Sequence, residues 1–412
     1  MTATRAALEQ WIDARHAEAV AFLAELVRVP SDTPPGDNAP HAQRAAFLLA
    51  AMGFDVERHE VPAATVAAAG LRSITNLVVR HRFGPGPTVA LNAHGDVVPP
   101  GEGWTRPPYG AEIHDGRMYG RGVAVSKSDF ATYAFALAGL KALQAEGQAL
   151  RGCVELHFTY DEEVGGNLGP RWLLDNGITR PDFAICAGFS YGIVTAHNGC
   201  LQLEAILQGR AAHAAIPQSG VDALRAAVAV LGDLYATAEA LREIRSRTHG
   251  IIHPTLNVGR IEGGLHTNVV PGQVAFSLDR RIIPEEDPAK VEAALRGALE
   301  NSASRHPGIQ LKLRRTLLAN PLRAMQGQDR LVEALQRHGT RIFGEPISAY
   351  GVPLYTDARH YAAAGIPVVL YGAGPRTLEA SNAKRADENL LLEDQRKSTQ
   401  VVACAVADLL SQ

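Results

Sequence analysis

The chain has 412 residues, of which 46% are hydrophobic and 20% are charged, and this composition is typical of an ordinary globular protein. A formal net charge of −3 gives no reason to expect attraction to nucleic acid or to a membrane surface, and no apolar stretch reaches the length of a membrane span. The length favours two or three domains with ample material for a core.

The N-terminal segment and the cysteines indicate a cytoplasmic location. The first 20 residues mix acids with arginines and lack the apolar centre of a signal peptide. The four cysteines show no CxxC spacing and no dense framework, so reduced thiols are expected at Cys153, Cys186, Cys200 and Cys404.

The first half of the chain alternates between helix-like and strand-like segments. Residues 5–28 are predicted to form one amphipathic helix, although Arg15 interrupts its apolar face. The alternation continues to Tyr191 and is typical of a three-layer α/β domain with a largely parallel sheet. The segments are a helix at 41–52, strands at 54–61, 74–81 and 88–93, a helix at 129–146, a strand at 153–160, a short helix at 170–176 and a strand at 182–187.

A second, smaller domain is predicted at residues 195–313. Its segments follow a β-α-β-β-α-β order, which describes a four-stranded antiparallel sheet with two helices on one face. They are strands at 199–207, 255–264, 273–283 and 309–315, with helices at 220–243 and 288–302. The first domain is therefore expected to be discontinuous, at 1–194 and 314–412, with a helix at 328–343, a strand at 367–372 and a final helix at 392–411.

Two motifs at strand ends point to a functional site. The first follows an apolar strand and places His94 and Asp96 two residues apart, a common arrangement of a metal ligand and its orienting carboxylate. The structural alternative is a turn in which Asp96 caps a backbone amide and His94 is half-buried. The second motif places Glu162 and Glu163 before a Gly-Gly pair, where adjacent carboxylates require a facing cation or a bound proton.

With these motifs, the chain resembles the two-zinc amidohydrolases and peptidases that include aminoacylase, acetylornithine deacetylase, succinyl-diaminopimelate desuccinylase and glutamate carboxypeptidase. The resemblance spans nearly the whole chain and is carried in order by LVRVPSDTPPGDN, YGRG, DEEVGG, GRAAHAAIP, GGLHTNVVP and TDARHYAAAGIPVVLYGAG. It implies a zinc-peptidase-like α/β domain with an inserted α+β sandwich that acts as a lid and dimerisation domain. A homodimer is expected.

Three positions depart from the ligand pattern that the resemblance implies. Val125 falls where the family has an aspartate that bridges both metals, Gly188 where it has an acid, and Lys384 where it has a histidine. Valine and glycine side chains offer no ligand atom, and an ammonium group repels a divalent cation. On this basis the sequence predicts no metal site and no cofactor.

The resemblance also implies roles for the residues that match the family. Glu162 matches the general base, and Asp96 matches the residue that orients His94. Glu163 matches a metal ligand, and Lys384 is expected to face it with one positive charge in place of the metal. These five residues are the predicted catalytic group.

Four further residues are predicted to bind a substrate that carries a carboxylate. His213 and Asn268 resemble the pair that meets the substrate carbonyl or carboxylate in the family, the histidine commonly coming from the partner subunit. Arg281 resembles a carboxylate-gripping arginine, for which a planar guanidinium is suited. The turn at Gly372 resembles a backbone contact for a carboxylate, whereas Arg280 is expected to be a surface charge.

Three functions remain open. The favoured one is a metal-independent enzyme in which Glu162 acts on a small amino-acid or amide derivative by elimination, isomerisation, cyclisation or amide-bond chemistry. The second is a metal-dependent amidohydrolase that cleaves an N-acyl amino acid or a peptide. Its ligands would then be either at positions other than those matched above or supplied from elsewhere, such as His197, His266 or His360. The third is a non-catalytic homologue that binds a small molecule.

Overall fold

The computed structural model describes residues 2–411, with side chains from residue 5 onward, and the chain forms two compact units. Unit 1 comprises the described residues up to Thr195, Ala324–Tyr350 and the described residues from Thr356 onward, and unit 2 comprises Ala196–Arg323 and Gly351–Tyr355. The chain returns to unit 1 after residue 323 rather than 313, because the last strand of unit 2 continues past the predicted boundary. Within residues 2–411, no helix is both long and apolar enough to cross a membrane.

Helices and strands alternate through unit 1 and again through unit 2. The α-helices are α1 (Thr2–Ala14), α2 (His16–Val27), α3 (Ala39–Ala51), α4 (Ala63–Ala68), α5 (Lys127–Ala145), α6 (Pro170–Asp175), α7 (Ala223–Leu241), α8 (Pro288–Ser304), α9 (Gln328–Phe343), α10 (Ala358–Ala363) and α11 (Leu392–Leu410). The strands are β1 (Val56–Glu60), β2 (Thr75–Arg82), β3 (Thr88–His94), β4 (Glu112–His114), β5 (Arg117–Tyr119), β6 (Cys153–Thr159), β7 (Phe183–Cys186), β8 (Gly192–His197), β9 (Gly199–Gln208), β10 (Ala212–His213), β11 (Thr255–Gly263), β12 (Val269–Val270), β13 (Gln273–Ile282), β14 (Gln310–Ala319), β15 (Ser348–Val352), β16 (Val368–Leu370) and β17 (Asn389–Leu391).

The core of unit 1 is an eight-stranded sheet in the order β1-β2-β6-β3-β7-β16-β8-β15. Its central strands β6, β3, β7 and β16 are parallel, whereas β1, β2 and β8 pair in the antiparallel sense. All seven residues of β6 are buried, as expected for a strand covered on both faces. The α/β class predicted from the sequence is confirmed.

Unit 2 contains a four-stranded antiparallel sheet in the order β11-β13-β9-β14, with α7 and α8 packed on it. Side chains of β9 and β13 alternate between buried and half-buried, so one face of the sheet forms the core with the helices. Asp222 and Asp287 cap the two helices, each accepting hydrogen bonds from two backbone amides of the first turn. This is the inserted α+β domain that the sequence predicts; its lid and dimerisation roles stay predictions.

The N-terminal helix differs from the sequence prediction. The single helix predicted at 5–28 is two helices, α1 and α2, which meet at Arg15. The backbone of Arg15 leaves the helical region, and its guanidinium lies 4.4 Å from the centre of the Trp11 ring. An arginine on an otherwise apolar face is accommodated by breaking the helix and stacking its charge on an aromatic ring.

Candidate active site

Two parallel strands bring the HGD and DEEVGG motifs together. β3 and β6 are neighbours, and His94 lies opposite Thr159 in their register. The segments that follow both strands therefore leave the same edge of the sheet, which is where open α/β sheets bind ligands. Glu162 and Glu163 lie in a 3-10 turn directly after β6.

Asp96 connects the two motifs. Its carboxylate is fully buried and accepts hydrogen bonds from the backbone amides of Glu162, at 3.3 Å, and Glu163, at 3.1 Å. The Nδ1 atom of His94 lies 2.9 Å from the Asp96 carbonyl oxygen and 3.4 Å from its carboxylate. Asp96 therefore caps backbone amides, as in the turn that was the structural alternative to a metal site. It also orients the His94 ring, whose Nε2 atom lies 3.8 Å from the Oε2 atom of Glu162.

The resulting arrangement collects three metal-ligating side chains. His94, Glu162 and Glu163 each place one ligand atom within 4.8 Å of the others. In the described part of the chain this is the one group of three or more His, Cys, Asp or Glu residues that meets that limit. The sequence predicted no metal site because three family ligand positions are replaced, and it did not consider that Glu162 could join His94 and Glu163. That absence stays a prediction, although the three side chains are placed where they could hold an ion.

Lys384 lies against the same cluster. Its Nζ atom is 2.5 Å from the Oε2 atom of Glu163, although about half of the lysine side chain is exposed. The backbone of Lys384 has a φ of 61°, and its amide donates to the Oε2 atom of Glu388 at 3.4 Å. The buried Glu388 carboxylate also accepts hydrogen bonds from Arg121, at 2.5 Å, and from the backbone amide of Ala124, at 3.0 Å. It therefore holds the loop that carries Lys384 to the loop after β5.

Burial and charge shift the pKa values of the cluster strongly. Burial lowers the pKa of the His94 imidazole, but the negative charges of Glu162 and Asp96 outweigh burial and raise it to about 10. Burial raises the pKa of Glu163 to about 7, against the opposing effect of the Lys384 charge. A metal ion that binds His94 must therefore displace a proton, since only the neutral ring donates an electron pair.

Two further buried acids lie near this cluster without joining its group of ligand atoms, and the sequence suggested no role for them. Asp161 is buried, and burial raises its pKa to about 7. Asp357, just before α10, is 5% exposed, and its Oδ2 atom has no hydrogen-bond partner. Burial and then the charges of Glu162 and Asp161 raise the pKa of Asp357 well above its usual value. The TDARHY motif contained this residue, but nothing local in that sequence shows that it faces Glu162.

Gly166 allows α10 to approach the glutamates this closely. Its φ is 63°, and a Cβ atom on it would lie 2.0 Å from the Oδ1 atom of Asp357. The neighbouring Gly165 carbonyl contacts the His360 ring at 3.0 Å and also accepts a hydrogen bond from Arg359. The Gly-Gly pair after the glutamates thus joins the β6 turn to α10.

The three alternative histidine ligands do not join the metal-ligand cluster. His360 contacts the Gly165 carbonyl in unit 1. In unit 2, the ring of His197 contacts the Asn198 carbonyl at 2.8 Å, and the ring of His266 contacts the Asn268 side chain at 2.7 Å. The ligand group of unit 1 therefore comes from the HGD and DEEVGG motifs.

Three of the predicted substrate-binding residues lie in unit 2. His213 and Asn268 are neighbours because β10 pairs with β12 and the Ala214 amide donates to the Asn268 carbonyl at 2.9 Å. Both residues are exposed. Arg281 binds Asp279, with 2.8 Å between its Nε atom and the carboxylate. Their proposed roles toward a substrate stay predictions.

Arg280 is buried, which corrects the sequence prediction. It was expected to be a surface charge, but it is 5% exposed and pairs with Glu286 at 2.5 Å. Strand alternation explains the difference: β13 points successive side chains to opposite faces, so neighbouring arginines have different environments.

The glycine-rich turn near Gly372 lies in unit 1 and is internally bonded. The Ala373 amide donates to the buried Asp129 carboxylate at 2.6 Å, and the Gly374 amide donates to the Gly188 carbonyl at 2.9 Å. A Cβ atom at Gly372 would lie 2.1 Å from Asp129. The amides of residues 373 and 374 are thus already used within the fold, and the predicted contact between this turn and a substrate stays a prediction.

Comparison with known proteins identifies the family. Residues 90–408, most of the chain, match peptidase family M20/M25/M40. The chain belongs to this family. It is 29% identical to the acetylornithine deacetylase of Myxococcus xanthus over 391 residues, which cover 94% of this chain and 96% of that protein.

Solved structures of the M20 family share the fold. The di-peptidase Dug1p of Saccharomyces cerevisiae superposes with a TM-score of 0.80 at 16% identity, covering 100% of both chains. The YXEP protein of Bacillus subtilis, described as a dinuclear metal binding peptidase from the M20 family, gives a TM-score of 0.66 at 16% identity, covering 97% of this chain and 99% of that one.

These relatives overturn the favoured function. The sequence favoured a metal-independent enzyme that performs elimination, isomerisation, cyclisation or amide-bond chemistry. The M20 relatives are instead peptidases and a deacetylase, and one is described as metal-binding. The error came from treating three replaced positions as the loss of the whole centre.

Proposed function

We propose that this protein is a metal-dependent amidohydrolase that cleaves an N-acyl amino acid or a short peptide. The observation that carries the proposal is the convergence of His94, Glu162 and Glu163, whose ligand atoms lie within 4.8 Å of one another at the carboxyl edge of the central sheet. Membership of the M20 family and the similarity to a deacetylase and a di-peptidase support the reaction class.

The three side chains fit one divalent cation. A catalytic zinc ion usually takes three protein ligands of the imidazole and carboxylate type and keeps one position open for water or substrate. The structure supplies one imidazole nitrogen and two carboxylates, and the buried Asp96 orients the imidazole as a second-layer partner does in zinc sites.

The residues of the chain can perform the proton transfers of amide hydrolysis. A cation bound here would polarise the substrate carbonyl and lower the pKa of a bound water. Glu162 has two carboxylate oxygens, so one can contact the cation while the other accepts a proton from the attacking water and passes it to the leaving nitrogen. Asp96 holds the His94 ring and the amides of both glutamates, which keeps these groups in place during the reaction.

The substrate is proposed to carry a carboxylate next to the cleaved amide, as an N-acyl amino acid or a peptide does. Arg281 is the proposed partner of this carboxylate, with Asn268 and His213 near the amide carbonyl. These roles come from the family resemblance and require that Arg281 exchange Asp279 for the substrate.

The test is metal analysis joined to a substrate panel. Protein purified without chelators is expected to contain zinc, cobalt or manganese and to hydrolyse at least one N-acetyl amino acid or dipeptide, with activity lost on chelation and restored by metal. His94→Ala should lose both metal and activity, whereas the exposed His114→Ala is the matched control and should keep both. Hydrolysis that persists in metal-free protein would contradict the proposal.

A further inference from the structure

The candidate centre joins a set of metal ligands to a fixed ammonium group. We propose that this protein binds one divalent cation per chain and that the Lys384 ammonium takes the place of a second cation beside Glu163. This inference rests on the proposed function and extends it, since it fixes the number of ions. It distinguishes the chain from its Bacillus subtilis relative, which is described as dinuclear.

The donors of the described chain suffice for one ion. His94, Glu162 and Glu163 form the single group of three within residues 2–411. Val125, where the family resemblance implies a shared ligand, carries no donor atom. A second ion at this place would have to share these three side chains or recruit the buried Asp357, and a transition-metal ion with one or two protein ligands is held weakly.

Gly188 occupies the position where the family resemblance implies an acidic metal ligand, and this position has no room for a side chain. A Cβ atom at Gly188 would lie 2.7 Å from the carbonyl carbon of Leu370 and 2.7 Å from the amide nitrogen of Tyr371. These are backbone atoms at the end of β16, which pairs with β7, so they cannot move aside without shifting the sheet. This position therefore lacks room for a side chain, and a carboxylate cannot be restored there by substitution alone.

Lys384 is held where it can supply positive charge. Its ammonium contacts one oxygen of Glu163 at 2.5 Å, and a carboxylate can bridge two cations through its two oxygens. The loop that carries the lysine is fixed through Glu388, which is 1% exposed and pairs with the equally buried Arg121. The anchor matters because a freely moving surface lysine would not stay beside one carboxylate.

Among the groups in direct contact with His94 or Lys384, one divalent ion balances the charge of the ionised carboxylates. The carboxylates of Asp96, Glu162 and Glu163 contact His94 or Lys384 directly and carry three negative charges. One divalent cation and one ammonium supply three positive charges, with His94 neutral as a ligand.

The experiment counts bound ions and follows their affinity in the full-length protein. Metal-free protein is titrated with Zn²⁺ by calorimetry, and the metal content is checked by elemental analysis after gel filtration. The wild type should saturate at one Zn²⁺ per chain. Lys384→Met should also bind one, with a Kd lower by about tenfold, because removal of the ammonium ends its repulsion of the ion.

Control variants separate this effect from damage to the fold. Lys290→Met removes an exposed lysine of unit 2 and should leave the Kd unchanged. Lys384→Gln should behave as Lys384→Met does, and circular dichroism melting confirms that each variant is folded. Lys384→His adds a ligand and should still bind one ion, because the position at Gly188 stays closed.

Each other result overturns a defined part of the inference. Two Zn²⁺ per chain in the wild type or in Lys384→His would refute the one-ion centre and leave the proposed amidohydrolase function standing. One Zn²⁺ with the same Kd in wild type, Lys384→Met and Lys384→Gln would refute the role of the lysine alone. No bound metal in the wild type would refute the proposed function itself, and with it the inference.

Discussion

Asp96 is the residue on which the geometry of the candidate site most depends. One buried carboxylate bonds the amides of Glu162 and Glu163 and also contacts the ring of His94. It thereby fixes three side chains that could hold a metal ion, and loss of such a partner usually lowers metal affinity by about 10–100-fold.

The first prediction concerns Asp96→Asn, which keeps the shape of the side chain but removes its charge and one acceptor. Zn²⁺ affinity, measured by calorimetry, should fall by about 10–100-fold because the ring and the turn are less well held. Asp175→Asn, at an exposed residue paired only with Arg171 on its own helix, is the control and should bind as the wild type does. Unchanged affinity in Asp96→Asn would refute the positioning role.

The second prediction concerns acid stability. Glu155 on β6 contacts His157 and Arg80, each at 2.9 Å, and its pKa is lowered to about 2 because these partners outweigh the effect of burial. A lowered carboxyl pKa stabilises the folded state above the ordinary value of 4.5, and this contribution disappears as the pH falls toward 2.

Glu155→Gln should therefore lower the free energy of unfolding by about 3 kcal/mol at pH 7. Denaturant unfolding at a series of pH values should show the difference from wild type shrinking between pH 4.5 and pH 2. Glu60→Gln, an exposed position on β1, should show neither effect. A difference that does not vary with pH would mean that packing, and not charge, accounts for the loss.

At the scale of elements, the end of β7 shows how strand packing limits the site. Gly188 follows β7, and the backbone at the end of β16, at Leu370 and Tyr371, passes so close that only hydrogen fits in place of a side chain. The parallel pairing of these strands thus decides which residue types can line this edge of the sheet.

The third prediction is that Gly188→Ala destabilises unit 1. Its methyl group would lie 2.7 Å from two backbone atoms, so the free energy of unfolding should fall by about 1–3 kcal/mol, as expected for overpacking. Gly232→Ala is the matched control: it lies within α7 with open space around it, and alanine should be neutral or stabilising there. Equal stability of the two variants in denaturant unfolding would contradict this prediction and would show that the backbone at the end of β16 moves aside at little cost.

At the scale of the whole molecule, the inserted unit is where self-association is expected. Helix α7 exposes Leu224, Val228 and Tyr235, which are 45%, 63% and 55% exposed and share one face at helical spacing. Large apolar side chains grouped on one helix face are typical of an interaction surface.

The fourth prediction is a homodimer formed through unit 2. Sedimentation equilibrium should give twice the mass of the 412-residue chain, and Val228→Glu should shift the protein toward monomer by placing a charge on this face. Asn301→Asp adds a charge at an exposed position of α8 and should leave the mass unchanged. A wild-type monomer at micromolar concentration would contradict the prediction.

The sequence by itself determined the α/β class, the inserted α+β unit and most elements, including α9 with its exact bounds, because hydrophobic periodicity and turn residues are local signals. It missed short strands such as β4 and β17, and it joined α1 to α2 because one polar residue on an apolar face does not reveal a break.

Local patterns also identified His94, Glu162 and Glu163 as members of two motifs, and the family resemblance led to the expectation that Lys384 faces Glu163. Neither showed which backbone contacts bring the three segments together. The meeting of these residues depends on the parallel pairing of β3 with β6. It also depends on Glu388, which holds the loop that carries Lys384, more than 200 positions after Glu163 in the chain. The burial of Asp357 beside the glutamates and the closure at Gly188 were likewise decided by tertiary structure. Distances between residues far apart in the chain are set by packing, and ligand geometry depends on those distances.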